Sequence, residues 1–299
     1  MSEGDSILEL HLTITDQPQT ALALLSANTP FSNGKIKSIM QKGAVWYSHH
    51  KTTERIRRAK RLLQTGETLH LYYNPDVLDQ QPPTATLIHD GVSYSVWNKP
   101  AGMLSQGSKW GDHTTLYRWA EQHLLPQRTA YIVHRLDRAA HGLILLAHNK
   151  RSTAHLATQF QQRTVEKIYH ATIHGLLQPT HPSLKVTTPI DGKEACSHIK
   201  VVRQNAALHQ TDVEVRIESG RKHQIRRHLS EIGYPIVGDR LYGQHEENGD
   251  LLLCSYSLQF NSPNSGERRR FIVSSSVDQP NSASTHSHSS PAGDDVPEF

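Results

Sequence analysis

Four charged residues, His134, Arg135, Asp137 and Arg138, stand directly before the apolar run Gly142 to Ala147, GLILLA. A carboxylate between two arginines beside a core strand tends to stay ionised, because opposite charge favours the charged form. Such a group suits nucleophilic or electrostatic work. By itself, the cluster also reads as an ion pair at a strand entrance. A second charged segment, Ser219 to Ser230 (SGRKHQIRRHLS), opens an amphipathic pattern in which Ile225, Leu229 and Ile232 recur at four and three. Gly220 permits a close approach there, and Arg221 and Lys222 join unpaired backbone N–H groups at a helix N-terminus, which makes an anion site. Arg226 follows Ile225 and can reach inward to a carboxylate through two parallel bonds. The third segment, Gly233 to Gly243 (GYPIVGDRLYG), holds four Gly or Pro in eleven residues, with Asp239 placed to bond turn backbone. It reads as mainly structural.

The elements that must position these groups follow from periodicity. Ser93 to Trp97 reads as a short strand ending in the turn Asn98 to Gly102, and GLILLA has the length of a buried strand. Val165 to Ile173 alternates, with Lys167 and Tyr169 on one face, and Val213, Val215 and Ile217 alternate again. Gly233 with Pro235 just beyond ends the helix that follows. Strands and helices in irregular order, with no βαβ repeat, imply an α+β domain with a largely antiparallel sheet. Near the N-terminus, Ser32 caps a helix carrying Ile36, Ile39 and Met40, which Gly43 ends. Strands are expected at Ala44 to Tyr47 and Thr68 to Tyr73. Between them, Lys51 to Arg61 packs six basic residues around one acid, Glu54.

The 299 residues carry 36% apolar and 20% charged side chains and no run of 18 apolar residues, which excludes a membrane-spanning helix. The opening MSEGDSILEL lacks the basic-then-apolar plan of a secretory leader, so a soluble, cytoplasmic protein is expected. Two cysteines, Cys196 and Cys254, and 21 histidines without a ligand spacing argue against a disulfide scaffold and a zinc site. No metal is expected. The last 26 residues, Ser274 to Phe299, hold four acids and no Lys or Arg; the remainder carries 32 basic against 24 acidic residues, a net +8. That balance suits a polyanionic partner.

In order and spacing, HRLDR with GLILLA, then EKIYHA, then GRKHQIRRHL with GYPIVGDRLYG resemble the RluA-type family of pseudouridine synthases, over roughly Leu87 to Val273. The helix, KGAVWY, basic segment and LLQTGETLHLYY resemble the S4-like RNA-binding module, with Ser48-His49-His50 where an Asn-Gly turn is usual. The resemblance implies isomerisation of uridine in structured RNA, most readily 23S ribosomal RNA, with no cofactor. It carries the nucleophile to Asp137, the base-displacing arginine to Arg135, the aromatic face to Tyr169 and the nucleophile's arginine partner to Arg226. Arg138, Lys167, Arg221 and Lys222 in the cleft, and Arg55, Arg57, Arg58 and Arg61 in the module, are expected to bind RNA. One departure is Ala140-His141 before Gly142, where the family usually has two hydroxyl residues. A rival reading is a non-catalytic RNA-binding or ribosome-assembly protein on the same scaffold, and transfer RNA is the alternative target. The intact Asp137, Tyr169 and Arg226 favour catalysis. The expected organisation is a monomer with an S4-like module at 1–75, a linker at 76–86, an α+β pseudouridine synthase domain with a central cleft at 87–273, and a disordered tail at 274–299.

Overall fold

The computed structural model describes residues 6–180, 183–243 and 249–278. In the N-terminal part, β1 (Leu8–Thr13), β2 (Gln19–Thr20), α1 (Ala21–Asn28), α2 (Asn33–Gln41), β3 (Val45–His49), β4 (Thr52–Arg55), β5 (Leu62–Leu63) and β6 (Thr68–Tyr73) follow in order. The main sheet is antiparallel in the order β1-β6-β3-β4. Its core joins Leu24 and Leu25 of α1 and Ile36, Ile39 and Met40 of α2 to Val45, Leu69 and Leu71 of the sheet. Ser32 caps α2 by accepting from the Lys35 amide (3.3 Å), and Gly43 leaves the helix at φ +83°. The basic run is not one solvated face: β4 forms a hairpin with β3, turning at His50, whose φ is +51°.

The stretch expected as a linker is tied down at both ends. Asn74 caps the short helix α3 (Pro75–Leu78), Leu78 is buried in the module core, and Ala85 is buried in the core of the larger unit.

That unit contains β7 (Thr86–Asp90), β8 (Tyr94–Lys99), α4 (Leu116–His123), β9 (Tyr131–Ile132), β10 (His141–Ala147), α5 (Lys150–Gln161), β11 (Glu166–His174), β12 (Leu184–Val186), β13 (Ser197–Asn205), β14 (Gln210–Ile217), α6 (Gln224–Glu231), β15 (Leu253–Asn261) and β16 (Arg268–Ile272). The sheet runs β12-β13-β14-β11-β15-β10-β8-β7, with β16 on β15 and β9 on β10. The β10–β15 pair is parallel; the other pairs of strands in this sheet are antiparallel, so the fold is α+β as expected. Strand β10 is covered on both faces. Ile144 and Leu146 pack with Trp97, Tyr169 and Leu229, whereas Leu143 and Leu145 pack with Leu156 and Phe260. Two-sided burial explains its unbroken apolar sequence.

The tail expectation is corrected at its start. Ser275 and Val277 are buried, and the Ser275 hydroxyl lies 2.6 Å from His170 Nδ1 on β11. Residues beyond Asp278 lie outside the described residues.

Candidate active site

Asp137 sits on the loop that enters β10, and that loop is anchored on both sides. Ahead of it, Ser105 Oγ donates to the Leu136 carbonyl (2.8 Å) and accepts from the Leu136 amide (3.1 Å). Behind it, the buried Lys99 Nζ donates to the Ala140 carbonyl (2.6 Å) and to that of Met103 (2.9 Å). Burial pulls the Lys99 amine down to about 7, and the charge of Asp137 opposes that fall. His134 is structural: its Nε2 accepts from the Leu145 amide (2.9 Å), its ring stacks on Phe160, and burial lowers it to about 3. Gly142 has φ +108°, and a Cβ there would lie 2.5 Å from the Ser255 carbonyl oxygen, so the β10–β15 approach requires glycine.

The side-chain neighbours of Asp137 come from α6 and the residue just before it, not from its own loop. Arg226 Nη1 lies 3.5 Å from Asp137 Oδ2, and His223 Nε2 lies 3.7 Å from Oδ1. Arg135 and Arg138 are exposed, and Arg138 Nε donates to the Gly102 carbonyl. Successive loop side chains diverge, so adjacency in sequence misplaced the charges. Arg226 gives its two-pronged face to Asp239, through Nε to Oδ2 (2.8 Å) and Nη2 to Oδ1 (2.6 Å). Asp239 also accepts from the Leu241 and Tyr242 amides. Burial alone would raise the Asp239 carboxyl, but Arg226 and those amides hold it below its ordinary value. The turn read as structural is therefore the seat of the site arginine.

His223 escaped the sequence reading, although it lies inside the HQIR segment. It adopts φ +55° just before α6, and its Nδ1 lies 2.9 Å from the Tyr242 hydroxyl. Burial lowers its pKa from 6.5, against the opposing pull of Asp137, so the ring tends to be neutral. The anion site expected at this helix start is partly closed, because Gln224 Oε1 accepts from the Arg221 amide (3.1 Å) and the Ser219 hydroxyl (2.7 Å).

Asp137, Arg135, Tyr169, Arg221, Lys222 and His223 converge on a cavity of about 270 Å³ with Ile217, Ile225 and Leu253 as apolar lining. Tyr169 is buried, and its phenol is pushed up by burial first and by Asp137 second, so it stays neutral. Lys167 lines the adjoining groove with Phe160, Arg163 and Arg221, and burial brings its amine down to about 8. A neutral aromatic, a partly exposed carboxylate and flanking cations can hold a flat base against a ribose.

The four module arginines do not share one face. Arg57 Nη2 donates to Asp112 Oδ2 (2.5 Å), and Arg55 Nη1 lies 3.5 Å from the same oxygen. The expectation that Arg55 and Arg57 face RNA is corrected: these guanidinium groups hold a buried carboxylate of the larger unit. Arg61 lies over the Tyr47 ring at 3.9 Å, and Arg58 is exposed. Among the described residues Cys196, His198 and Glu218 bring three donor atoms within 4.8 Å of one another. His198 pairs across the sheet with Lys185 and Arg216, whose charges oppose a cation, and the His198–Glu218 contact at 2.7 Å reads as a hydrogen bond between the two side chains.

A family model described as RNA pseudouridylate synthase matches residues 93–231. The chain is 32% identical over 223 residues to the dual-specificity RNA pseudouridine synthase RluA of Vibrio parahaemolyticus, covering 68% of this chain and 86% of that protein. An uncharacterized RNA pseudouridine synthase of Aquifex aeolicus is 29% identical over 283 residues, covering 84% of this chain and 88% of its own length. The ribosomal large subunit pseudouridine synthase D of Neisseria meningitidis serogroup A is 31% identical over 219 residues, covering 64% of this chain and 58% of that one. Among solved structures, human RNA pseudouridylate synthase domain containing 1 matches with a TM-score of 0.55 at 20% identity, over 65% of this chain and 86% of that chain.

Proposed function

Given that this chain belongs to the RNA pseudouridine synthases, we propose that it isomerises specific uridines of structured ribosomal RNA with Asp137 as nucleophile, acting on a base flipped out of its stack. The observation that carries this reading is the carboxylate of Asp137, with 19% of its side chain exposed, on the cavity that Tyr169 also lines, with the Arg226 guanidinium 3.5 Å and the His223 ring 3.7 Å away. Uridine inside folded RNA hides C1′ and C5 until it leaves its stack, at a cost of about a few kcal/mol. Arg135, exposed at the cavity rim, fills the gap, and the Tyr169 ring supports the base. An Asp137 oxygen then bonds to C1′ as the N1–C1′ bond breaks and its electron pair leaves with uracil. The turned uracil attacks C1′ through C5 and the carboxylate is released; C5 then gives its proton to solvent while N1 takes one up, which restores the ring. Arg226 keeps the carboxylate aligned, while Arg138, Lys167, Arg221 and Lys222 meet the RNA backbone around the cleft. The ribosomal target is supported by the name of the Neisseria relative.

Tritium release from RNA labelled at uridine C5 tests the chemistry, because the new bond expels that hydrogen. The wild type should release tritium with a chelator present, and Asp137→Asn, which barely changes volume, should bind RNA and release none. Turnover by that variant removes Asp137 from the role. Mapping pseudouridines in total RNA from a strain lacking the gene should show the missing sites in ribosomal RNA; their loss from transfer RNA instead would move the target.

A further inference from the structure

We propose that the segment from Met103 to Thr115 couples the N-terminal module to the nucleophile loop, with Ser105 and Asp112 as positioning residues. The inference rests on Asp137 being the nucleophile. At one end, the buried Ser105 hydroxyl closes both backbone polar groups of Leu136, the residue before Asp137. Lys99 spans Met103 and Ala140, so the start of the segment and the far side of the nucleophile loop hang on the same amine. Loss of the Ser105 hydroxyl would leave a buried N–H and a buried C=O without that partner.

At the other end, the module grips the segment from three of its elements. Asp112, 1% exposed, takes Arg57 Nη2 and the Tyr117 hydroxyl on Oδ2, and its amide donates to the Lys42 carbonyl (3.0 Å). Arg55 donates to the Gly43 carbonyl through Nε (2.9 Å) and to the Ser108 carbonyl through Nη2 (2.5 Å), clasping module and segment together. The Trp46 indole donates to the Lys109 carbonyl (3.0 Å). A Cβ on Gly43 would come within 2.2 Å of Asp112 Oδ1, so module and segment fit only through glycine. Between the ends, the Leu116 amide donates to Leu104 (2.8 Å) and the Thr115 hydroxyl to Asp112 (2.7 Å), which keeps the path taut. A shift of the module is thereby passed to the backbone beside Asp137, where small displacements cost rate.

The test separates rate from affinity. Single-turnover tritium release from uridine-labelled ribosomal RNA and filter binding of the same RNA are measured for Ser105→Ala, Ser105→Thr, Asp112→Asn and the Arg55→Gln/Arg57→Gln double variant. The expected result is a fall in single-turnover rate of about tenfold to a hundredfold for Ser105→Ala and the double variant. RNA Kd should stay within about threefold, because the groups removed bond protein and not phosphate. Ser105→Thr, which keeps the hydroxyl, should recover most of the rate. A loss confined to Kd, with the saturated rate intact, overturns the coupling. If the double variant fails to fold, Asp112→Asn, of equal volume, and Ser105→Ala decide by the same criterion. Asp137→Asn runs in parallel: its turnover would sink the nucleophile reading, whereas a dead Asp137→Asn beside full-rate Ser105→Ala sinks the coupling alone.

Discussion

Two regions of the molecule bury an aspartate against arginine, and they differ in what is left over. At the seam between module and sheet, Asp112 is met by Arg57, Arg55 and the Tyr117 hydroxyl. At the floor of the cleft, Asp239 is met by Arg226 and two backbone amides. Only the cleft adds another carboxylate beside its arginine: Asp137, partly exposed, sees Arg226 and His223 at 3.5 and 3.7 Å. Asp239 is fully bonded and Asp112 holds its partners on Oδ2 alone, with Oδ1 buried and unpartnered, so both fix geometry out of reach of a substrate. The carboxylate that opens on the cavity keeps lone pairs for a substrate, which is why a buried ion pair is weak evidence of catalysis and an accessible one beside it is stronger.

The sharpest break in that comparison comes from removing one partner on each side. Arg226→Ala strands Asp239, whose surroundings are closed to water, and should cost about 3–5 kcal/mol of stability as well as most of the turnover. Asp112→Ala strands Arg55 and Arg57, but their side chains retain 18% and 23% exposure and can turn toward solvent. Its cost should be smaller, about 1–3 kcal/mol. Urea unfolding of both variants, with tritium release, checks the order; an equal cost would show that the seam is as dry as the cleft.

Acid should sharpen the same difference. The folded-state pKa of Asp239 lies below its ordinary 3.8, so its stabilisation is present above that value and is lost as pH falls through the depressed one. In that window the unfolded chain binds the proton first, and stability declines with falling pH. Asp239→Asn should be less stable than wild type at neutral pH and should flatten the decline below about pH 4. Parallel acid profiles for the two proteins would remove Asp239 as a source of the slope.

The sequence made the Asp137 loop legible because charge is concentrated where the flanking pattern is apolar, and α6 legible because Ile225 and Leu229 repeat at helical spacing. Of the spatial partners of Asp137, Arg226 was expected from the HQIR motif, whereas His223 was not, and Arg135 and Arg138 are its neighbours only along the chain. Lys99 and Ser105 carried no signal either: a lysine ending a strand and a serine in a loop become anchors only when the Leu136 and Ala140 backbone folds onto them. The basic run was misread for a readable reason. Ile56 packs into the module core, so Arg55 and Arg57 on either side of it turn the opposite way, toward Asp112.

Beyond Arg57 the chain has left the strand and leaves Arg58 and Lys60 exposed, which makes them the smallest and most selective probe of the seam. If the module meets RNA through the outward half of the run, Arg58→Gln/Lys60→Gln should leave the melting temperature and the saturated single-turnover rate unchanged, because neither side chain touches the segment from Met103 to Thr115. RNA affinity should weaken, and the slope of log K against log salt should fall by up to about 0.9 for each duplex phosphate that is no longer neutralised, or about 0.7 on a single strand. Binding measured across a salt series separates the cases. An unchanged slope would take these two residues off the RNA surface, while a fall in saturated rate with unchanged affinity would mean that outward charges also act through the seam, erasing the distinction between the two halves of the run.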